Sequence, residues 1–205
     1  MELYFAPFAC SLASHITARE AGIPLDLLQV SLSTKRTSDG ADYLAVTPKG
    51  YVPTLRLEDG SLLSENPVVL QYLADQRPEA GLLPVSGSRA RYEVLEWVGY
   101  VSTEIHKGIF ALIFSPASPE EAKAYARTLA QRKLPLLAER LRAREFLVGD
   151  RFTIADAYLV WALNLCPFAG ISLDAWPSLQ AYLTRMQARP SVQEAIAYEQ
   201  ERMAA

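Results

Sequence analysis

Cys10 stands in Ala9-Cys10-Ser11, between a short apolar run and a helix-compatible segment. A thiol at a helix start faces unpaired N–H groups and the positive end of the helix dipole, and both favour the thiolate. The same place would favour a thiolate carried in by a ligand. The residue types fit an inert, small buried side chain equally well. The chain has two cysteines and no Cys-x-x-Cys pair, so a redox role for Cys10 requires an external thiol. Tyr4 and Ser11 are rival hydroxyls near the same point, each as suited to packing or capping as to chemistry. Cys166, in an apolar run before Pro167, reads as structural.

Ser64-Glu65-Asn66-Pro67 places backbone N–H groups and a hydroxyl at a helix start, which suits a carboxylate ligand. Glu65 beside them suits an ammonium, so the segment could hold an amino-acid head group or simply cap its helix. Val52-Pro53 opens a strand; proline cannot donate to a ladder, which leaves the Val52 backbone free to pair with an extended peptide. Of the two histidines, His15 reads as structural. His106, in Thr103-Glu104-Ile105-His106-Lys107, has the residue type for a donor or base near neutral pH. Two histidines and two distant cysteines give no metal-ligand spacing, and no metal is expected. There is no Gly-rich phosphate loop and no Gly-x-Ser-x-Gly elbow.

These positions need elements to hold them. Glu2 to Phe5 reads as a strand, Ser11 to Ala21 as a helix stopped by Gly22 and Pro24, and Asp26 to Leu32 as a second strand. Thr37 to Val46 reads as an irregular helical piece. Thr54 to Leu57 and Ser61 to Leu63 flank Glu58-Asp59-Gly60 as a hairpin. Ser64 is expected to cap a helix to about Arg77. The order β-α-β-α-β-β-α predicts a small sheet covered by helices. Arg77 to Gly87, with two prolines and two glycines, reads as a connection. Beyond it the spacing is helical throughout. Ser118-Pro119 starts one helix, which Pro135 should kink or divide. Thr153-Ile-Ala-Asp156 forms a capping-box-like start for another. The expected division is an α/β domain at 1–80, a linker at 81–87 and an all-helical domain at 88–205.

The 205 residues are half hydrophobic and 21% charged, with a net charge of −3, as in an ordinary globular protein. Six basic and 10 acidic residues precede Gly87, and 14 basic and 13 acidic follow it, so neither half carries a nucleic-acid footprint. The basic cluster from Arg127 to Arg151 is interleaved with Glu139 and Glu145 and reads as a solvated helix face. Cysteine usage and an N-terminus without a basic, then apolar, leader point to a reducing, cytoplasmic setting. The uncharged run from Ala157 to Leu173 is broken by Asn164, Pro167 and Gly170. It reads as a buried core helix, not a membrane span.

Taken together, the motifs resemble the beta class of bacterial glutathione transferases almost end to end. The resemblance rests on Met1-Glu-Leu-Tyr-Phe5, Ala9-Cys10-Ser11-Leu12, Gly50-Tyr-Val52-Pro53, Ser64-Glu65, Trp97 and Glu104-Ile-His106-Lys107. It continues in Gly149-Asp-Arg-Phe-Thr153-Ile-Ala-Asp156 and Trp176-Pro-Ser-Leu179. It implies a thioredoxin-like α/β N-terminal domain, an all-α C-terminal domain and a homodimer. Its activity would join the glutathione thiolate to small hydrophobic electrophiles, a detoxification chemistry with glutathione as co-substrate. By that resemblance Cys10 faces the glutathione sulfur, Val52 pairs with the tripeptide backbone, and Pro53 is cis. Glu65 and Asn66 hold the γ-glutamyl end, and Lys35 meets the glycyl carboxylate. Thr103, Glu104 and His106 reach the site from the other subunit or across the domain cleft, and Cys10 and His106 are the catalytic candidates. Tyr100, Ile109, Phe110, Ile113 and Phe168 are candidates for the electrophile pocket, or core. Gly99 departs from the family, whose members often carry Asn there. Two other functions use the same residues: reduction of mixed disulfides through Cys10, and non-catalytic binding of glutathione or hydrophobic ligands.

Overall fold

A computed structural model describes residues 1–203. The chain divides into two compact units, Met1–Leu82 together with the last helix, and Leu83–Arg189.

The first unit is built on a five-stranded sheet of order β3-β2-β1-β4-β5. Its strands are β1 (Glu2–Phe5), β2 (Asp26–Ser31), β3 (Arg36–Thr37), β4 (Thr54–Arg56) and β5 (Leu62–Ser64). β1 runs parallel to β2 and antiparallel to β4, with Tyr4 opposite Thr54 and Glu2 opposite Arg56. That register matters for the site. Because β4 begins where β1 ends, the residues following β1 lie beside those preceding β4, and Cys10 comes to Val52-Pro53. Helix α1 (Ser11–Glu20) is buried from Ser11 to Ala18, and Gly22, at φ +65°, follows its end. The expected helical piece from Thr37 resolves into edge strand β3 and one short helix, α2 (Tyr43–Val46), capped by Asp42. Helix α3 (Asn66–Gln76) follows β5, and a 3-10 turn, Pro78–Ala80, follows α3. Ser64 does not cap α3. It is the last residue of β5, paired with Thr54, and Glu65 stands at the cap position.

The second unit is helical. α4 (Arg89–Tyr100) continues without a break into a π-helical stretch, Val101–Phe110, and then α5 (Ala111–Phe114). α6 (Glu120–Arg140), α7 (Ile154–Leu165) and α8 (Pro177–Gln187) complete it. Pro135 does not divide α6. It forfeits one N–H donor, while Ala126, Ala130, Leu134, Leu137 and Ala138 keep one face of the helix buried. α7 is buried at every residue from Ile154 to Leu163, as befits a helix apolar all round at the centre of a bundle. Among the described residues no helix is long and apolar enough to cross a membrane. The Thr153–Asp156 capping box forms. The fully buried Asp156 carboxylate accepts from Leu147 N, Thr153 N, Thr153 Oγ1 and Tyr182 Oη, each at 2.9 Å. Burial pushes that carboxyl up, and these four bonds oppose the shift.

The last helix, α9 (Pro190–Met203), departs from the expected 88–205 domain: it packs along α1 in the first unit. Three polar contacts fasten it there, Arg19–Glu194 (2.6 Å), Ser191–Glu20 and His15–Glu199 (3.3 Å).

Candidate active site

Cys10 occupies the cap position of α1 with helical backbone angles and is 8% exposed. Its Sγ lies 3.3 Å from the Val52 carbonyl oxygen, and the Val52–Pro53 bond is cis. The rival hydroxyls are turned elsewhere. Ser11 Oγ is fully buried and exchanges hydrogen bonds with the Ala6 carbonyl and N–H, both at 3.3 Å. Tyr4 is buried under the Arg56 guanidinium and against the Tyr43 ring. Burial, with its neighbour Glu2, pushes the Tyr4 phenol up to about 12.

Buried polar groups that the sequence reading passed over brace this corner. The Tyr43 hydroxyl lies 2.8 Å from both the Tyr51 carbonyl and Thr54 Oγ1, pinning the turn that carries Val52 and Pro53. Glu199 of α9 is fully buried and accepts the Phe8 N–H at 2.7 Å, two residues before Cys10, where Phe8 sits at φ +57°. Burial raises the Glu199 carboxyl to about 8 and lowers the His15 imidazole to about 3. His15 is therefore neutral in its contact with Glu199, with Nε2 accepting from Arg19 Nε at 2.9 Å. One sequence signal was available for Glu199: it lies on the face of α9 carrying Val192 and Ala195, where a solvated carboxylate has no place.

Lys35, at φ +56°, directs Nζ to the Gly50 carbonyl at 2.8 Å and lies over the Tyr51 ring. Gly50 adopts φ +63°, where glycine carries no strain, and a Cβ there would have to displace the Leu44 side chain, whose Cδ2 lies 2.9 Å from its place. Lys49 Nζ donates to Ser64 Oγ (3.0 Å) and Glu65 Oε1 (2.8 Å), so the hydroxyl expected at the helix start faces a lysine. Glu65 holds a strained φ of +70°. Beyond it, Asn66 Oδ1 accepts from Ser14 Oγ of α1 at 2.7 Å. Cys10, Val52, Pro53, Lys35, Glu65 and Asn66 thus all belong to the first unit.

Thr103, Glu104 and His106 belong to the second unit, and all three fall on the π-helical stretch. Thr103 Oγ1 donates to the Gly99 carbonyl at 3.1 Å. Glu104 is paired with Lys133, whose charge and hydrogen bond hold its carboxyl below the usual range. A Cβ on Gly99 would meet nothing within 4 Å. His106 Nδ1 lies 2.8 Å from Tyr158 Oη, and its ring stands edge-on to Trp161 at 4.6 Å. Burial, then Lys107, lowers the imidazole to about 4. At neutral pH the imidazole is therefore uncharged, with Nδ1 in hydrogen-bond contact with the Tyr158 hydroxyl. Ile109, Phe110 and Ile113 are core residues of the unit, whereas Phe168 is exposed.

The His106 shift has a consequence for stability. Its folded value lies below the ordinary 6.5, so the stability it confers is present above that pH and is lost as pH falls towards 4. Relative to His106→Asn, the wild type should lose about 2 kcal/mol of unfolding free energy between pH 7 and pH 5. Urea unfolding of both proteins at the two pH values checks this; a constant difference would mean that His106 protonates freely.

A five-stranded mixed sheet carrying a thiol and a cis-proline turn, followed by a helical unit with an internal capping box, defines a recognisable class. Residues 9–76 match the glutathione S-transferase N-terminal domain and residues 100–190 the glutathione S-transferase C-terminal domain. The chain belongs to the glutathione S-transferase family. It is 45% identical over 199 residues to glutathione S-transferase GstA of Escherichia coli O157:H7, covering 97% of this chain and 98% of that protein. A bacterial beta-class glutathione S-transferase of Sphingomonas chungbukensis superposes with a TM-score of 0.94 at 41% identity, covering 97% and 98% of the two chains. A sphingomonad glutathione S-transferase complexed with glutathione gives 0.93 at 40% identity, over the same shares.

Proposed function

We propose that this protein joins the thiolate of glutathione to the electrophilic carbon of small hydrophobic compounds, with the glutathione sulfur beside Cys10. The observation that carries the reading is the meeting of Cys10 Sγ, at the start of α1, with the Val52 carbonyl of the cis-proline turn. An extended peptide paired with the Val52 backbone would bring its cysteine to the same helix start. Family membership, and a relative solved with glutathione, support that choice of peptide. Val52 and Pro53 then receive the cysteinyl backbone, Lys35 the glycyl carboxylate, and Glu65 and Asn66 the ammonium and carboxylate of the γ-glutamyl end. The reading also gives Thr103, Glu104 and His106 a part in ligand binding, through a homodimer, and a cytoplasmic setting.

The chemical task is to ionise a thiol whose ordinary pKa is about 8.5. A helix start and one or two hydrogen bonds supply stabilisation of the required order. Attack forms the new carbon–sulfur bond and expels the electrophile's leaving group; no bond to Cys10 is needed. One observation favours a second activity at the same place. Ser11 and Tyr4 are tied up elsewhere, so the group near the bound sulfur is itself a thiol, able to exchange with a mixed disulfide. Retention on immobilised glutathione together with turnover of an activated aryl halide tests the main reading. Tight glutathione binding without turnover would overturn it in favour of a binding role.

A further inference from the structure

The amide of Asn66 is divided in an informative way. Its Oδ1 accepts the Ser14 hydroxyl at 2.7 Å, while Nδ2 is buried and has no hydrogen-bond partner. Asn66 itself is 4% exposed and Ser14 is fully buried. A buried donor left unpaired costs about 1–3 kcal/mol, so such groups point to a missing acceptor. The neighbouring backbone narrows what that acceptor meets. Pro67 has no N–H, and the N–H groups of Val68 and Val69 both turn back to the Glu65 carbonyl, at 2.9 and 3.0 Å. The donors at the opening of α3 are therefore concentrated on Asn66.

We propose that Ser14 is a positioning residue for ligand binding: by donating to Asn66 Oδ1 it fixes the amide so that Nδ2 is the donor offered to the α-carboxylate of the γ-glutamyl group. The inference rests on the functional reading above and adds to it a residue of α1 that never touches the reacting sulfur. A hydroxyl one turn along α1 from Cys10 thus governs head-group recognition and leaves the thiol chemistry to others.

The test compares Ser14→Ala, Asn66→Asp and the unaltered protein. Ser14→Ala frees the amide to turn. Asn66→Asp keeps an acceptor for Ser14 and a residue type suited to a helix start, yet removes the donor and sets a negative charge against the ligand. Glutathione binding by the unaltered chain, measured calorimetrically, settles the functional reading separately, so a null effect of Ser14→Ala there counts against Ser14 alone. Ser14→Ala should weaken glutathione about three- to tenfold, the loss falling in Kd and KM rather than kcat. Asn66→Asp should weaken it by more than about tenfold. For 4-aminobutanoyl-cysteinylglycine, which lacks the α-carboxylate, Ser14→Ala should change nothing. Equal weakening of both peptides by Ser14→Ala, or an unchanged Kd for glutathione, would overturn the proposal, as would full affinity in Asn66→Asp.

Discussion

Replacing Glu65 with glycine is expected to make the free protein more stable and the ligand complex much weaker. Glu65 sits at φ +70° and ψ 113°, a conformation that costs a non-glycine residue about 1–3 kcal/mol. Glycine relieves that strain but loses more backbone entropy on folding, for a net gain of about 1 kcal/mol. The Lys49–Glu65 pair offsets little, since both side chains are more than half exposed. Strain kept at such a position is understandable if the carboxylate it presents is used. Its removal should weaken glutathione at least about tenfold, the worth of a charge-assisted contact to the ammonium. Urea unfolding and titration calorimetry on the same samples give both signs. Reduced stability would show that the carboxylate serves the fold, and an unchanged Kd would show that the ammonium goes elsewhere.

Cys10→Ala is expected to separate two activities. In reduction of a glutathionyl mixed disulfide, the Cys10 thiolate attacks the glutathionyl sulfur, forms a new S–S bond and releases the other thiolate. A second glutathione thiolate then attacks that bond, leaving as glutathione disulfide and restoring Cys10. Without the sulfur this cycle has no intermediate, and the activity should fall to background. Conjugation needs Cys10 only as a neighbour of the reacting sulfur, so its kcat/KM should fall by about tenfold, one hydrogen bond's worth. Parallel assays with an aryl halide and a glutathionyl disulfide read the split. Equal loss of both would place Cys10 covalently in conjugation too, and retention of disulfide reduction would remove it from that chemistry.

The start of α7 and the hairpin were legible because local chemistry sets them: Thr153 and Asp156 cap α7 from within four residues, and Glu58-Asp59-Gly60 favours a turn. Strand β3 was not legible, since two residues, Arg36 and Thr37, carry no alternation and become a strand by pairing with Val30 and Ser31. Ser64 illustrates the opposite error. Its type suits a cap, but the ladder to Thr54 claims it, and Glu65 takes the cap position in a strained conformation. The placement of α9 along α1 depends on His15, Arg19 and Glu20 meeting residues more than 170 positions away. No local pattern encodes such distances. The same holds for Tyr43 and Ser14, ordinary letters in the sequence whose hydroxyls brace the Val52–Pro53 turn and the Asn66 amide. The π-helical stretch bearing Thr103, Glu104 and His106 has no distinguishing composition, and the apolar side chains next to it proved to be core.

Glutathione bound beside the start of α1 is expected to ionise more readily than it does in water. Ultraviolet titration of the glutathione complex of Cys10→Ser measures this directly. The substitution removes the neighbouring thiol, and Cys166, pushed up to about 12 by burial, stays silent over the working range. The thiolate midpoint should lie at least about one unit below that of free glutathione. A midpoint equal to or above the free value would contradict it.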